Sequence, residues 1–236
     1  MKKIAIMQPY FFPYIGYFQL INAVDEFVVY DNIQYTKKGW INRNRFLLNG
    51  KDQYFTLPLK KDSDYLNINE RHLADDYNKL NERQLRKLEN AYRKAPYLKE
   101  VMPLLSECFL CQKDNLFDFI YNSIEKVNNF LGIETKITIS SGIEKNNVLH
   151  KGVERVKNIC KILSADSYLN PIGGIVLYNK IDFEKNEIRL NFLKTNNIQY
   201  TQFKNDFIPF LSIIDILMFN SKEEVNWLIN KEYEII

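Results

Sequence analysis

Short apolar runs alternate with longer amphipathic stretches along this chain of 236 residues. KIAIM, at 3–7, is a β-branched apolar run with the length and texture of a buried parallel strand. YFQLINAVD follows with apolar residues at helical spacing, and EFVVYD, at 26–31, is another apolar run that ends in an acid. Strand, helix and strand in so short a span make a βαβ unit. RFLLNGKDQYFTLPL then sets two β-rich runs on either side of Asn49-Gly50, which predicts a hairpin with a tight primed turn.

From about 62 to 131 the pattern turns helical and polar, through NERQLRKLENAYRKA, the stretch after Pro96, and NLFDFIYNSIEKVNNFLG ending at Gly132. After Gly132 the α/β rhythm resumes. KITISS reads as a strand, GVERVKNICKILSA as a helix, DSYLN as a strand and IRLNFL as another after a short helical or irregular link. Helices over 209–219 and 222–230 close the chain. The expected fold is one Rossmann-like α/β domain over residues 1–236. Its sheet is mostly parallel, with helices on both faces, a β-hairpin and a helical insertion at 62–131.

Composition narrows the function classes. Apolar residues make up 46% and charged residues 26%, the balance of an ordinary globular protein. The net charge of +3, from 32 basic and 29 acidic residues, has no dense Lys/Arg patch behind it and argues against nucleic acid as a partner. Three cysteines, Cys108, Cys111 and Cys160, make no disulfide framework, and together with the lack of a leader-like start they point to the cytoplasm. FIPFLSIIDILMF carries Asp215 and is shorter than the roughly 20 apolar residues of a membrane span. Cys108 and Cys111 have the spacing of half a zinc site, but no second pair completes it, so no metal is expected.

Candidate chemistry gathers where strands should end. In an open parallel sheet, ligands bind beyond the carboxyl ends of the strands, near the point where strand order reverses. QPYFFPYIGYF, directly after the first strand, should occupy that crevice. Gln8, Pro9 and Tyr14 are candidate contacts there, Pro13 can start the next helix, and Gly16 allows close approach. A rigid aromatic loop that only packs the sheet edge is the plainer alternative.

The second strand runs into YDNIQYTKKGWINRNR. Asp31, Gln34, Lys38, Trp40, Asn42, Arg43 and Asn44 offer donors, acceptors, cations and a stacking face for a polar ligand with an anionic part. A polar hairpin edge is again the alternative. His150 falls between a strand and the helix starting near Val153, where it could act as general base, with Lys151 holding an anion beside it. His72 lies in a polar segment and reads as a surface or structural residue. Asn170, in NPIGG after the DSYLN strand, heads a loop whose two glycines could let a ligand approach the backbone.

Three blocks carry a resemblance. IAIMQPYFFPYIGYFQLINAVDEFVVYDNIQYTKKGWINRNR, LHKGVERVKNICKILSADSYLNPIGG and FIPFLSIIDILMFN resemble the WbqC-like family of bacterial proteins. Its members are typically encoded with genes for surface polysaccharide biosynthesis, such as O-antigen assembly. The resemblance implies a cytoplasmic role on an activated sugar, and the reading favoured on it is a transferase that adds an acyl or aminoacyl group to the amino nitrogen of a nucleotide-linked amino sugar. The donor it implies is an acyl thioester on an acyl carrier protein or coenzyme A, with no tightly bound cofactor; a homo-oligomer fits equally. The family's patterned positions fall on Gln8, Pro9, Pro13, Gly16, Asp31, Gln34, Trp40, Asn42, Arg43, Asn44 and His150, with His150 and Asp31 as the candidate acid–base groups. Where related chains often carry a Ser-Gly loop, this one has NPIGG.

The opening also resembles the layout of the nucleotidylyltransferase superfamily, whose H-x-G-H motif would fall on Tyr14-Ile15-Gly16-Tyr17. The glycine matches and neither histidine does, so the groups that stabilise a phosphate transition state are missing. Two alternatives stay open: a nucleotide-dependent ligase or nucleotidylyltransferase, and a non-catalytic sugar-nucleotide-binding protein.

Overall fold

The computed structural model describes residues 1–143, 151–204 and 206–236. Six strands form one sheet: β1 (Lys3–Met7), β2 (Glu26–Val29), β5 (Lys136–Ile139), β6 (Ser167–Pro171), β7 (Arg189–Thr195) and β8 (Tyr233–Ile235). Their order is β5-β2-β1-β6-β7-β8. All neighbours are parallel except β7 and β8, which run antiparallel. The chain builds outward from β1 through β2 to β5, then returns to β1's other side and builds through β6 to β7. The reversal therefore lies between β1 and β6, which makes their carboxyl ends the natural ligand crevice.

The apolar runs are continuous because both faces of the sheet are covered. Ile4, Ile6 and Val28 face a smaller core with Val156, Ile159 and Cys160 of helix α6 (Gly152–Ile162) and Phe183 of α7 (Lys180–Glu184). Ala5, Phe27 and Val29 face the larger core, with α1 (Ile15–Asn22) and the closing helices α8 (Ile213–Phe219) and α9 (Lys222–Lys231).

The hairpin of β3 (Arg43–Leu48) and β4 (Lys51–Thr56) forms a second, two-stranded antiparallel sheet. Asn49 and Gly50 both take positive φ, 52° and 72°, as the primed turn requires. Helices α2 (Tyr77–Ala91), α3 (Leu98–Phe109) and α4 (Leu116–Leu131) follow. Asn115 caps α4 by accepting from the Phe117 and Asp118 amides, and Gly132 ends it in the left-handed conformation at φ 71°. These helices share the larger core with the hairpin and the sheet: Phe109 lies 5.2 Å from Phe11 and stacks on Phe12 at 5.5 Å.

The elements differ from the sequence reading in four places, the first being that the antiparallel strand β8, and not a helix, closes the chain. Helix α1 begins at Ile15 with Tyr14 as its cap, so Pro13 precedes the helix and does not start it. Residues 209–212 are not helical, and α8 begins at Ile213 behind the Ser212 cap. The strand β5 stops at Ile139, and Ser140 opens a single helical turn, α5 (Ser140–Ile143). Among the described residues, no helix is long and apolar enough to cross a membrane.

Candidate functional site

The segment after β1 is held by its phenylalanines and presents its tyrosines. Phe11 and Phe12 are fully buried, and the Phe11 amide donates to the Ile41 carbonyl at 2.9 Å. Phe12 sits at φ 46°, a conformation that costs a bulky residue about 1–3 kcal/mol. Its carbonyl is fixed by two donors, Asn44 Nδ2 and Ser212 Oγ, each at 2.8 Å. The hairpin and α8 thus clamp the turn, leaving Tyr10 and Tyr14 facing open space.

Two cavities meet over the carboxyl ends of β1 and β6. One, of about 530 Å³, lies among Tyr10, Tyr14, Trp40, Arg45, Pro171 and Phe210. The other, of about 360 Å³, lies among Gln8, Tyr10, Tyr30, Asn170, Gly174 and Tyr178. Met7, Tyr10 and Pro171 line both. Both are walled mainly by aromatic and aliphatic groups with a few polar tips, the usual make-up of a small-molecule site.

Burial sets the state of the phenols. It raises the pKa of Tyr10, pushes Tyr14 up to about 12, and with the neighbouring Tyr10 charge raises Tyr17 further. All three stay protonated near neutral pH and act as hydrogen-bond donors. Tyr17 already donates to the Gln8 carbonyl at 3.0 Å and Tyr10 to Gln8 Oε1 at 3.3 Å, so the turn is braced from within.

Gly16 and Gly174 are needed for packing in the crevice walls. A Cβ on Gly16 would meet Thr195 Oγ1 at 2.7 Å, so α1 can lie against β7 only without a side chain there. A Cβ on Gly174 would meet Asn170 Nδ2 at 2.1 Å. Asn170 is buried, accepts from Tyr168 Oη at 2.9 Å and donates to the Pro171 carbonyl at 3.2 Å.

Of the residues singled out in the sequence, Gln8, Pro13, Tyr14, Gly16, Trp40, Asn44 and Asn170 line the two cavities. Pro9 is buried beneath the turn. The others line neither cavity. Asn42 is a buried brace that accepts from Tyr35 Oη at 2.8 Å and donates to the Leu57 carbonyl at 2.8 Å. Arg43 donates to the Gly39 and Lys38 carbonyls and covers the Tyr54 ring at 4.8 Å. Gln34 donates to the Asp64 carbonyl at 2.9 Å. Lys38 is exposed with φ 63°, and Lys151 is the exposed residue preceding α6.

Asp31 is 2% exposed, and both carboxylate oxygens are engaged. Oδ1 accepts from Ser140 Oγ at 2.8 Å and the Ser141 amide at 2.9 Å, while Oδ2 accepts from Asn69 Nδ2 at 2.8 Å. This geometry fastens β2 to α5 and to the turn at Asn69. His150 lies outside the described residues. Among those that are described, no group of three or more His, Cys, Asp or Glu is placed to hold a metal. Cys108 is buried, which raises its thiol pKa and suits a packing role in α3. His72 sits on the surface, 3.3 Å from Asp114.

The sequence reading does not single out Tyr10, Thr195 or Phe210 as site residues, and it names Arg45 only as part of the polar run from Asp31 to Arg45. Arg45 shares the outer face of β3 with Arg43, a period-2 relation visible in the sequence. Only the fold shows that Arg45 turns to the crevice, with its guanidinium 5.6 Å from the Trp40 ring and donating to the Phe210 carbonyl at 3.1 Å.

The comparisons with known proteins cover all of these segments. The WbqC-like protein family matches residues 8–227, from the crevice turn into α9. An uncharacterized protein of Mycobacterium tuberculosis (strain ATCC 25618 / H37Rv), Rv1507c, is 30% identical over 232 residues, 97% of this chain and 98% of its own length. No solved structure matches the chain. With the family match running through both walls of the crevice, the chain belongs to the WbqC-like protein family.

Proposed function

We propose that this protein is a transferase in bacterial surface polysaccharide biosynthesis that moves an acyl or aminoacyl group onto the amino nitrogen of a nucleotide-linked sugar. The observation that carries this reading is the pair of cavities that meet at Tyr10 over the reversal point of the sheet. Two compartments joined at one wall suit two substrates that must touch at their reacting ends. The Tyr10 phenol at the junction stays protonated, and while it donates to Gln8 Oε1 its oxygen can accept from a sugar hydroxyl. Trp40 gives the larger compartment a stacking face, and Arg45, which is paired with Asp52 at 3.0 Å, gives it a guanidinium that an anionic ligand would share with that acid.

In the proposed step the amine nitrogen attacks the thioester carbonyl carbon. The C–N bond forms, the C–S bond breaks, and the thiol leaves with the proton lost by the amine. His150 is the proposed carrier of that proton.

A panel of nucleotide sugars screened by thermal shift, followed by thioester transfer assays on the hits, tests the reading. At least one nucleotide-linked amino sugar should raise Tm and accept the acyl group. His150→Ala should lower turnover by about 10² or more. A wild-type rate in that variant removes His150 as the base, and a flat response to the whole panel removes the reading.

A further inference from the structure

A third cavity, of about 520 Å³, lies beyond the carboxyl end of β7, behind the rings of Tyr14 and Phe210. Those rings pack edge to face at 5.5 Å, and together with Thr195 they line both this cavity and the larger compartment of the crevice. The two spaces are therefore neighbours across one aromatic wall.

Two independent features mark the cavity as built. The first is its floor. Tyr200 donates to Asp215 Oδ2 at 2.6 Å, and the fully buried Asp215 also receives Tyr92 at 2.7 Å and Gln202 at 2.7 Å. A buried carboxylate is costly unless such donors satisfy it, and a satisfied network fixes its members in place. Here the network holds the Tyr200 ring at the cavity. The second feature is the wrap. Phe210, which lines the cavity, takes φ of 58°. Aromatic residues in the left-handed region cost about 1–3 kcal/mol each and concentrate where a ligand is clamped.

The lining selects the ligand. Tyr14, Tyr200, Phe207 and Phe210 supply four rings. Lys194 is paired with Glu234 at 2.6 Å, and among the described residues no acid lines the space. A charged group would find no uncommitted counter-ion there. At the rim the Asn197 amide has no partner among the described residues and offers one donor and one acceptor edge. Aromatic walls with a neutral donor–acceptor edge fit a flat, uncharged heterocycle.

We propose that this cavity is the base-binding subsite for the nucleotide-linked sugar, an inference that rests on the function proposed above. The base would stack among the rings and meet Asn197. The diphosphate would cross the Tyr14–Phe210 wall past Arg45, and the sugar would lie in the crevice.

The test is calorimetric titration with uridine, thymidine, cytidine, guanosine and adenosine diphosphates. The wild type is compared with Asn197→Trp, which plugs the exposed rim, and with Phe207→Ala, which removes a ring from this cavity alone. Each variant should weaken the preferred nucleoside diphosphate about tenfold or more, the worth of one stacking contact. A second measurement needs no variant: base protons should show NOEs to the methyls of Ile198 and Ile216. Unchanged affinity in both variants, with NOEs to the crevice instead, overturns the subsite and leaves the proposed function standing. Failure of every nucleotide to bind the wild type overturns both.

Discussion

At the scale of single residues, the crevice depends on positions where a side chain is missing. Gly16 lets the Thr195 hydroxyl approach to where a Cβ would stand, and that hydroxyl is itself committed, donating to Gln19 Oε1 at 2.7 Å. Gln19 in turn is fully buried and donates to the Leu228 and Glu232 carbonyls at 3.0 and 2.9 Å. The contact cannot yield without disturbing the seat of α9. Gly16→Ala should therefore destabilise the fold by about 1–3 kcal/mol, the usual cost of overpacking. It should also reduce ligand binding, because α1 must move away from β7 where both line the crevice. Urea unfolding checks the first effect and thermal shift with the best ligand the second. A variant as stable as the wild type would show that α1 can shift freely.

At the scale of elements, Asp31 joins three segments that the sequence keeps far apart. Its carboxylate meets Ser140 and Ser141 at the start of α5 and Asn69 in the 3₁₀ turn Ile68–Glu70, while its main-chain carbonyl accepts from the Asn69 amide at 3.2 Å. Removing it leaves the Ser141 amide and the half-buried Asn69 side chain without this acceptor, and the buried Ser140 hydroxyl with Asn32 Oδ1 alone at 2.6 Å, so Asp31→Ala should cost about 1–3 kcal/mol in stability. The loss should appear in chemical denaturation with or without ligand. A stable Asp31→Ala protein that is catalytically dead would instead place the carboxylate in the chemistry.

This residue also marks how far the sequence was legible. Local signals placed β1, α1, β2, the hairpin and α4, because periodicity, the Asn49-Gly50 turn and the Gly132 cap are properties of contiguous residues. They also placed the turn at Gln8–Gly16 beyond β1, since strand ends are readable. What an acidic side chain at a strand end touches is decided by segments about 40 and 110 residues away, and nothing local distinguishes a fastener from a base. The same holds for Phe210 and Thr195, which reach the crevice only through the packing of α8 and β7.

For the molecule as a whole, two buried carboxylates give stability opposite dependences on pH. Glu26 opens β2, opposite Ile4 on β1 and Lys136 on the edge strand β5, and is 1% exposed. Burial alone would raise its pKa, but Lys2 at 2.8 Å, Thr138 and Lys136 at 2.9 Å hold it down to about 2, from an ordinary 4.5. A lowered acid pKa stabilises the fold fully above the unfolded value and is lost as pH falls from about 4.5 toward 2. The contribution is at most about 3 kcal/mol.

Asp215 acts the other way. Burial raises its pKa despite the donors Tyr200, Tyr92 and Gln202, so the folded state holds its proton to higher pH than the unfolded chain does. Its penalty grows as pH rises above the ordinary 3.8. Urea unfolding between pH 2.5 and 8 should therefore show a steep acid limb that Glu26→Gln flattens. The same series on Asp215→Asn should show less loss of stability on the rising side. Profiles for both variants that run parallel to the wild type would mean that neither buried charge governs the pH response. In that case the acid limb would belong to the surface ion pairs, which 1 M salt would then suppress.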